Sequence, residues 1–283
     1  MKIFNKNSIN QVDKKNNWED FFKTLSLQRK KSQPKLNSMD SMKKRATVRA
    51  YSQQDISPEL LDELLEIACR SSNTGNMQAY SIVVSRDQER KKALAACHFN
   101  QPQVVDAPVV LTFCADFNRF SKWCAQRNAL AGFDNIQALT YASIDAVIAA
   151  QTFCVAAEEK GLGICYLGTT TYLAQEIIEL LELPPLVFPV TTVSVGYPLE
   201  SPKQCERLPL EAVVHSEAYR DYTPADIDRL HLAKEQLPEN RHFVEINHKE
   251  NLAQVFAEIR YTKKDNEHFS DTLVRAVKKQ GFC

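Results

Sequence analysis

The chain has 283 residues, 44% of them hydrophobic and 25% charged, with 35 basic and 35 acidic side chains. That is the composition of a soluble globular protein with enough chain to bury a sizeable core, in one large domain or one domain with an extension. Zero net charge excludes a global field drawing the molecule to nucleic acid or an anionic membrane, and neither is expected as a partner.

The charge is unevenly placed. Residues 1–38 carry nine Lys/Arg against three Asp/Glu, a net of +6 that the remainder balances with −6. This stretch is rich in Asn, Lys, Gln and Ser, and its few apolar residues cluster in "WEDFFKTLSL". Residues 1–42 are therefore expected to be a weakly ordered basic extension with one short amphipathic helix near 18–27. Met39 and Met42 could each begin a complete domain, which favours reading the stretch as a tail. No apolar h-region follows Lys2, so no secretory signal is expected. Within the helical region the longest unbroken apolar run is 146–150, far short of a membrane span. The eight cysteines include no Cys-x-x-Cys pair, and several lie in apolar stretches such as "VVLTFCA". Free thiols in a reducing cytoplasm are expected, without disulfides or a zinc site.

The folded part, 43–283, opens on "KKRATVRAYS", where Arg45, Thr47 and Arg49 alternate. An extended backbone would present all three on one side, and two guanidiniums with a hydroxyl suit a phosphate or a carbonyl-rich ring edge. Ser57 and Pro58 then start the helix "PELLDELLEIAC". "SSNTGNMQAY" reads as a loop and "SIVVS" as a short buried strand. A charged helix is expected over about 88–97. After the turn holding Asn100, Gln101 and Gln103, residues 108–114 form a strand covered on both faces. "FNRFSKWCAQRNAL" is helical. The longest helix, 136–160, has small residues on several sides, so it belongs in the core or between subunits, and Gly161 ends it. "GICYLGTT" is a strand ending in a turn, "YLAQEIIELLEL" a helix, and "VFPVTTVSVGYP" a strand. The region 215–283 is a helical C-terminal extension, with helices near 224–236, 249–260 and 265–279. Helices and few strands alternate, so an α/β or α+β arrangement fits.

Familiar catalytic motifs are missing. With only seven glycines, the chain has no Gly-x-Gly-x-x-Gly, no Walker loop and no Gly-x-Ser-x-Gly elbow. Its six histidines are scattered without metal-ligand spacing, so they read as surface or structural residues and no metal is expected.

Five segments in order carry a resemblance to a known family: "RATVRAY" with the helix after it, "RSSNTGNMQAYSIVV", "FNQPQVVDAPVVLTFCADFNR", "IDAVIAAQTFCVAAEEKGLGICYLGTT" and "ERLPLEAVVHSEAY". The ending "FSDTLVRAVKKQGF" agrees. Over roughly 240 residues the chain resembles the FMN-dependent nitroreductases, in the branch of NADPH-type oxygen-insensitive nitroreductases and flavin reductases. The resemblance implies an α+β fold, a mainly antiparallel sheet flanked by helices, and a domain-exchanged homodimer with FMN at the interface. It implies that Arg45 and Thr47 meet the phosphate or ribityl chain, Arg49 the pyrimidine edge and Arg207 the phosphate. Asn100, Gln101 and Gln103 would line the ring edge. Tyr166, Leu167, Gly168 and Thr169 would pass the flavin face. Arg70, Ser71, Ser72 and Gln78 would come from the other subunit. Ala46 stands where the branch often has Arg or His, and Cys205 where Lys is common, leaving Lys203 as the replacement cation. The implied activity is ping-pong hydride transfer from NADPH or NADH to a nitroaromatic or quinone, with no side-chain acid or base. A flavin reductase and a non-redox FMN-binding protein are the alternatives. Arg220, Arg229 and Arg241 are candidates for the nucleotide 2′-phosphate.

Overall fold

A computed structural model describes residues 38–283. The helix expected near 18–27 lies outside them. The chain divides after Ser41, and the fold described is that of Met42–Cys283.

Four strands, β1 (Tyr80–Ser85), β2 (Val109–Asp116), β3 (Gly163–Leu167) and β4 (Val187–Gly196), form one sheet in the order β1-β2-β4-β3. Every pairing is antiparallel. All eight residues of β2 are buried, because helices cover both faces. The period of two sorts the side chains. Val109, Leu111, Phe113, Ile164, Val193 and Val195 pack against the long helix Ile136–Glu159 and the helix Pro58–Cys69. Val110, Cys165 and Leu167 face the opposite way, toward the helices Gln88–Cys97 and Ala174–Leu180. Pro189 sits in β4 beside the break in register at Phe113/Cys114. Since β3 pairs only with Thr192–Gly196, the proline's missing N–H leaves no rung of that ladder unmade.

The long helix would cross a membrane by length and composition, yet half of it is buried against the sheet. Ala142, Ala146, Ala149 and Ala150 make the close approach possible. Its opposite face leaves Tyr141, Ile144 and Val147 open to solvent. Buried Asp145 turns this helix into an anchor. Its carboxylate accepts from Thr74 N at 2.8 Å, Thr74 Oγ1 at 3.0 Å and Ala79 N at 3.3 Å, which fixes the loop that carries Gln78.

Two expectations change toward the C-terminus. A helix absent from the sequence reading, Pro238–Ile246, starts at Pro238. The stretch expected as one helix over 249–260 is a short turn, Leu252–Gln254, running into a π-helical turn, Val255–Arg260. Among the eight free cysteines, Cys97, Cys114, Cys154 and Cys165 are buried, whereas Cys69, Cys205 and Cys283 are exposed.

Candidate functional site

The segment Arg45–Ala50 forms no strand, but it is held at intervals along the end of the sheet. Val48 N donates to Ile164 O at 3.0 Å, Leu199 N donates to Ala50 O at 3.0 Å, and Ser52 N donates to Tyr197 O at 2.8 Å. The Tyr51 hydroxyl lies 3.0 Å from Val48 O and 2.8 Å from Ser194 Oγ. Burial pushes its pKa up, so it stays protonated. Two glycines permit the approach. A Cβ at Gly163 would fall 2.6 Å from Val48 Cβ, and one at Gly196 would fall 2.9 Å from Tyr51 Cδ1. With Val48 buried, Arg49 on the next residue is exposed.

Arg49 stands between two cavities. The first, about 770 Å³, is lined by Thr47, Arg49, Lys203 and Cys205. The second, about 620 Å³, is lined by Arg49, Gln101, Tyr166, Gly168 and Thr169, with an aromatic wall of Phe99, Tyr172 and Phe269. Tyr172 and Phe269 stack with centroids 4.3 Å apart, and Phe99 meets both edge-on at about 6 Å. Phe99 and Asn100 both adopt positive φ, 54° and 55°. That is an uncommon conformation for a bulky side chain, and it turns Phe99 outward at the end of its helix.

Several of the residues singled out from the sequence therefore converge: Thr47, Arg49 and Lys203 on one cavity, and Arg49, Gln101, Tyr166, Gly168 and Thr169 on the other. Leu167 is buried behind the second, and Gln103 supports Gln101 through a 2.7 Å bond from its Nε2 to Gln101 Oε1. The Asn100 N–H donates to Ala95 O at 2.7 Å and shapes the turn. Arg45 is half-buried, and its Nε lies 3.4 Å from Glu158 Oε1. Burial raises the Glu158 pKa, and Arg45 opposes the rise. The pair is ionic without hydrogen-bond geometry, so Glu158 Oε1 keeps an unmet acceptor. Ala46 is half-buried and adds no polar group.

Others do not join. Arg207 is exposed and folds back on its own loop, donating from Nη1 to Glu206 O at 2.9 Å and Cys205 O at 3.3 Å. Lys203 pairs with Glu239 at 2.9 Å. Arg70 caps the helix Pro58–Cys69, and Ser71 and Ser72 follow it. Gln78 lines a separate hollow of about 440 Å³ with Cys69, Tyr80 and Arg119. Within one chain this group does not meet Arg49. Among the cations considered for a nucleotide phosphate, Arg229 is engaged by Glu211 and Asp226, and Arg220 lies 3.7 Å from Asp226.

The sequence reading missed His98, Tyr172, Arg260 and Phe269. Arg260 ends the π-helical turn and sits 4.7 Å over the Phe243 ring and 5.4 Å from Phe256, at the rim of the aromatic cavity. His98 is fully buried behind Thr169, with its Nδ1 2.8 Å from Thr169 Oγ1. "CHFNQ" offered a signal for His98, a titratable side chain beside an apolar helix end. Nothing local marked Arg260 or Phe269.

A match to the model of the nitroreductase family spans residues 42–197, more than half of the chain. The chain belongs to the nitroreductase family. Both cavities draw residues from beyond that span, Lys203 in the first and Phe269 in the second, so the matched part alone does not complete the site. A Bacillus subtilis FMN reductase (NAD(P)H) is 35% identical over 175 residues, 61% of this nitroreductase-family chain and 70% of that protein. An oxygen-insensitive NADPH nitroreductase of Salmonella typhimurium is 30% identical over 193 residues, covering 68% and 78%. Among solved structures, a Bacteroides fragilis protein provisionally assigned as an oxidoreductase superposes with a TM-score of 0.85 at 58% identity, over 86% of this chain and 99% of that one. The NfrA1 nitroreductase of B. subtilis gives 0.77 at 27% identity, over 87% and 99%. These likenesses accord with the antiparallel sheet flanked by helices, an α+β fold.

Proposed function

We propose that the chain is an FMN-dependent NAD(P)H oxidoreductase that passes two electrons, as hydride, to a nitroaromatic or quinone in ping-pong fashion. The observation that carries this reading is the pair of cavities meeting at Arg49, one cationic and one walled by aromatic rings. The residues fit the cofactor. Thr47 and Lys203 suit a phosphate, with Arg45 on the same segment. The second cavity offers ring faces for a planar heterocycle, and the β3 turn at Gly168 has no side chain to obstruct it. FMN would supply the redox-active ring, accepting hydride from the nicotinamide and delivering it to the acceptor.

The protein's part is binding and placement. The Arg49 guanidinium favours negative charge along its side of the cavity. Lys203 reaches an anion by releasing Glu239, an exposed partner whose loss costs little. Half-buried Glu158 holds Arg45 in place for the same end. The aromatic wall gives donor and acceptor a common stacking surface, so proximity does much of the work. A flavin reductase is the second reading, favoured by the similarity to the B. subtilis FMN reductase. Turnover with free FMN, nitrofurazone and a quinone as competing acceptors separates the two.

The deciding measurement is the visible spectrum of the purified protein before and after anaerobic NADPH. A yellow protein that bleaches is expected. Arg49→Ala and Arg45→Ala are expected to lose at least about tenfold in FMN affinity, the size of one charge-assisted contact. Either variant purifying fully loaded with unchanged turnover counts against the site.

The open apolar stripe Tyr141, Ile144 and Val147 lies on a helix whose other face is core. We propose that it packs on a second copy of the chain, which would bring the partner's equivalents of Arg70, Ser71, Ser72 and Gln78 toward the cofactor. Ile144→Asp is expected to give a monomer by light scattering and to lose FMN. A dimer that persists with the cofactor bound places the interface elsewhere.

A further inference from the structure

His98 is fully buried, and its Nε2 has no hydrogen-bond partner among the described residues. Its Nδ1 lies 2.8 Å from Thr169 Oγ1. The same hydroxyl accepts from Gln101 Nε2 at 3.3 Å, and Gln101 is oriented by the 2.7 Å bond that its Oε1 accepts from buried Gln103. Thr169 and Gln101 both line the aromatic cavity.

Hydrogen-bond counting selects one proton arrangement. An imidazolium would bury a charge with one acceptor and no carboxylate partner among the described residues, and burial alone pushes the His98 pKa down to about 4. The neutral ring has two tautomers. With the proton on Nε2, a buried N–H would be orphaned, the rarer and costlier fault. With the proton on Nδ1, only an acceptor goes unmet, and Nδ1 donates to Thr169. A threonine hydroxyl has two acceptor sites and one proton. Gln101 and His98 then fill both acceptor sites, and no acceptor for the Thr169 proton exists among the described residues.

We infer that His98 is a positioning residue that fixes the polarity of Thr169, so that the Thr169 hydroxyl is a dedicated donor aimed into the aromatic cavity at a carbonyl oxygen or ring nitrogen of the bound heterocycle. Where that heterocycle is FMN, the inference rests on the reading above. The polarity of the His98–Thr169 pair does not depend on it. Without His98 the hydroxyl is free to turn its proton back toward the space the imidazole leaves.

The test has two arms on the full chain. Long-range proton–nitrogen correlation on histidine-labelled protein reads which ring nitrogen of His98 carries the proton, with and without FMN. A protonated Nδ1 is expected in both, and a protonated Nε2 overturns the inference. In the second arm FMN affinity is measured by fluorescence for Thr169→Val, His98→Leu, His98→Asn and the double variant Thr169→Val/His98→Leu. Thr169→Val and His98→Leu are each expected to weaken binding about tenfold. The double variant should be no weaker than Thr169→Val alone. His98→Asn, which keeps a donor near the Nδ1 position, should restore most of the affinity and covers the case in which His98→Leu fails to fold. Weakened binding in Thr169→Val with unchanged binding in His98→Leu overturns the inference. If the native chain holds no FMN, the cofactor reading falls while the nitrogen spectrum still decides the role of His98.

Discussion

Gly163→Ala is expected to lower stability by about 1–3 kcal/mol and to weaken cofactor retention together with it. The cause is the packing of the Val48 side chain on the Gly163 backbone. Val48 N bonds Ile164 O, which draws the Val48 side chain over the first residue of β3. An added Cβ would lie 2.6 Å from Val48 Cβ and 2.8 Å from its Cγ1, separations that real packing does not tolerate. Val48 is β-branched and buried, so it cannot swing aside, and the strain passes to the backbone between Thr47 and Arg49. Those two residues line the cationic cavity. The loss should appear as a Tm drop of about 2–4 °C per kcal/mol and a lower FMN content. Val48→Gly should be less harmful in the Gly163→Ala background than alone, because it removes every Val48 side-chain atom that the new methyl would meet. Normal stability and full cofactor in Gly163→Ala would show that the segment is not held as described.

A comparable effect is expected from acid. His98 titrates near 4 when folded and near 6.5 when unfolded. Between those values the unfolded chain binds the proton more readily, so stability falls with falling pH. The contribution is complete above about pH 6.5, is smaller by roughly 2–3 kcal/mol at pH 4.5, and falls little more below 4. Glu158, whose folded pKa is raised, titrates with the opposite sign, but it does so in both native and variant protein. Urea denaturation of native chain and His98→Asn at pH 7 and pH 4.5 isolates the histidine. The variant should lose less stability on acidification by roughly that amount, and equal losses would mean that His98 is accessible or already charged.

Much of the fold was legible because it depends on local rules. Ser57-Pro58 started a helix, and the Ser57 side chain does accept from Leu60 N. Gly161 ended the long helix with φ near 80°. The unbroken apolar run of β2 announced a strand covered on both sides. Pro238 was an equally local signal for a further helix, but the polar residues around it hid the pattern. Motif order also placed the family, since it survives along the chain without any knowledge of contacts.

The site divides on the same line. Alternation put Arg45, Thr47 and Arg49 on one side, yet Thr47 and Arg49 share their cavity with Val48 and Ala50, and Arg45 turns to Glu158 instead. Which neighbours Thr47 and Arg49 meet was not legible, since the cavities at Arg49 are assembled from the turn after Gly196, the end of β3 and the C-terminal helix Lys263–Lys279. Arg207 shows the limit in the other direction. The family resemblance implied a phosphate contact for it, but here its guanidinium bonds its own loop carbonyls. His98 shows why such choices need three dimensions. Its chemistry as an imidazole is written in the sequence, but its charge, its tautomer and the direction of the Thr169 proton are set by its full burial and by its contact with Thr169, and only packing creates those.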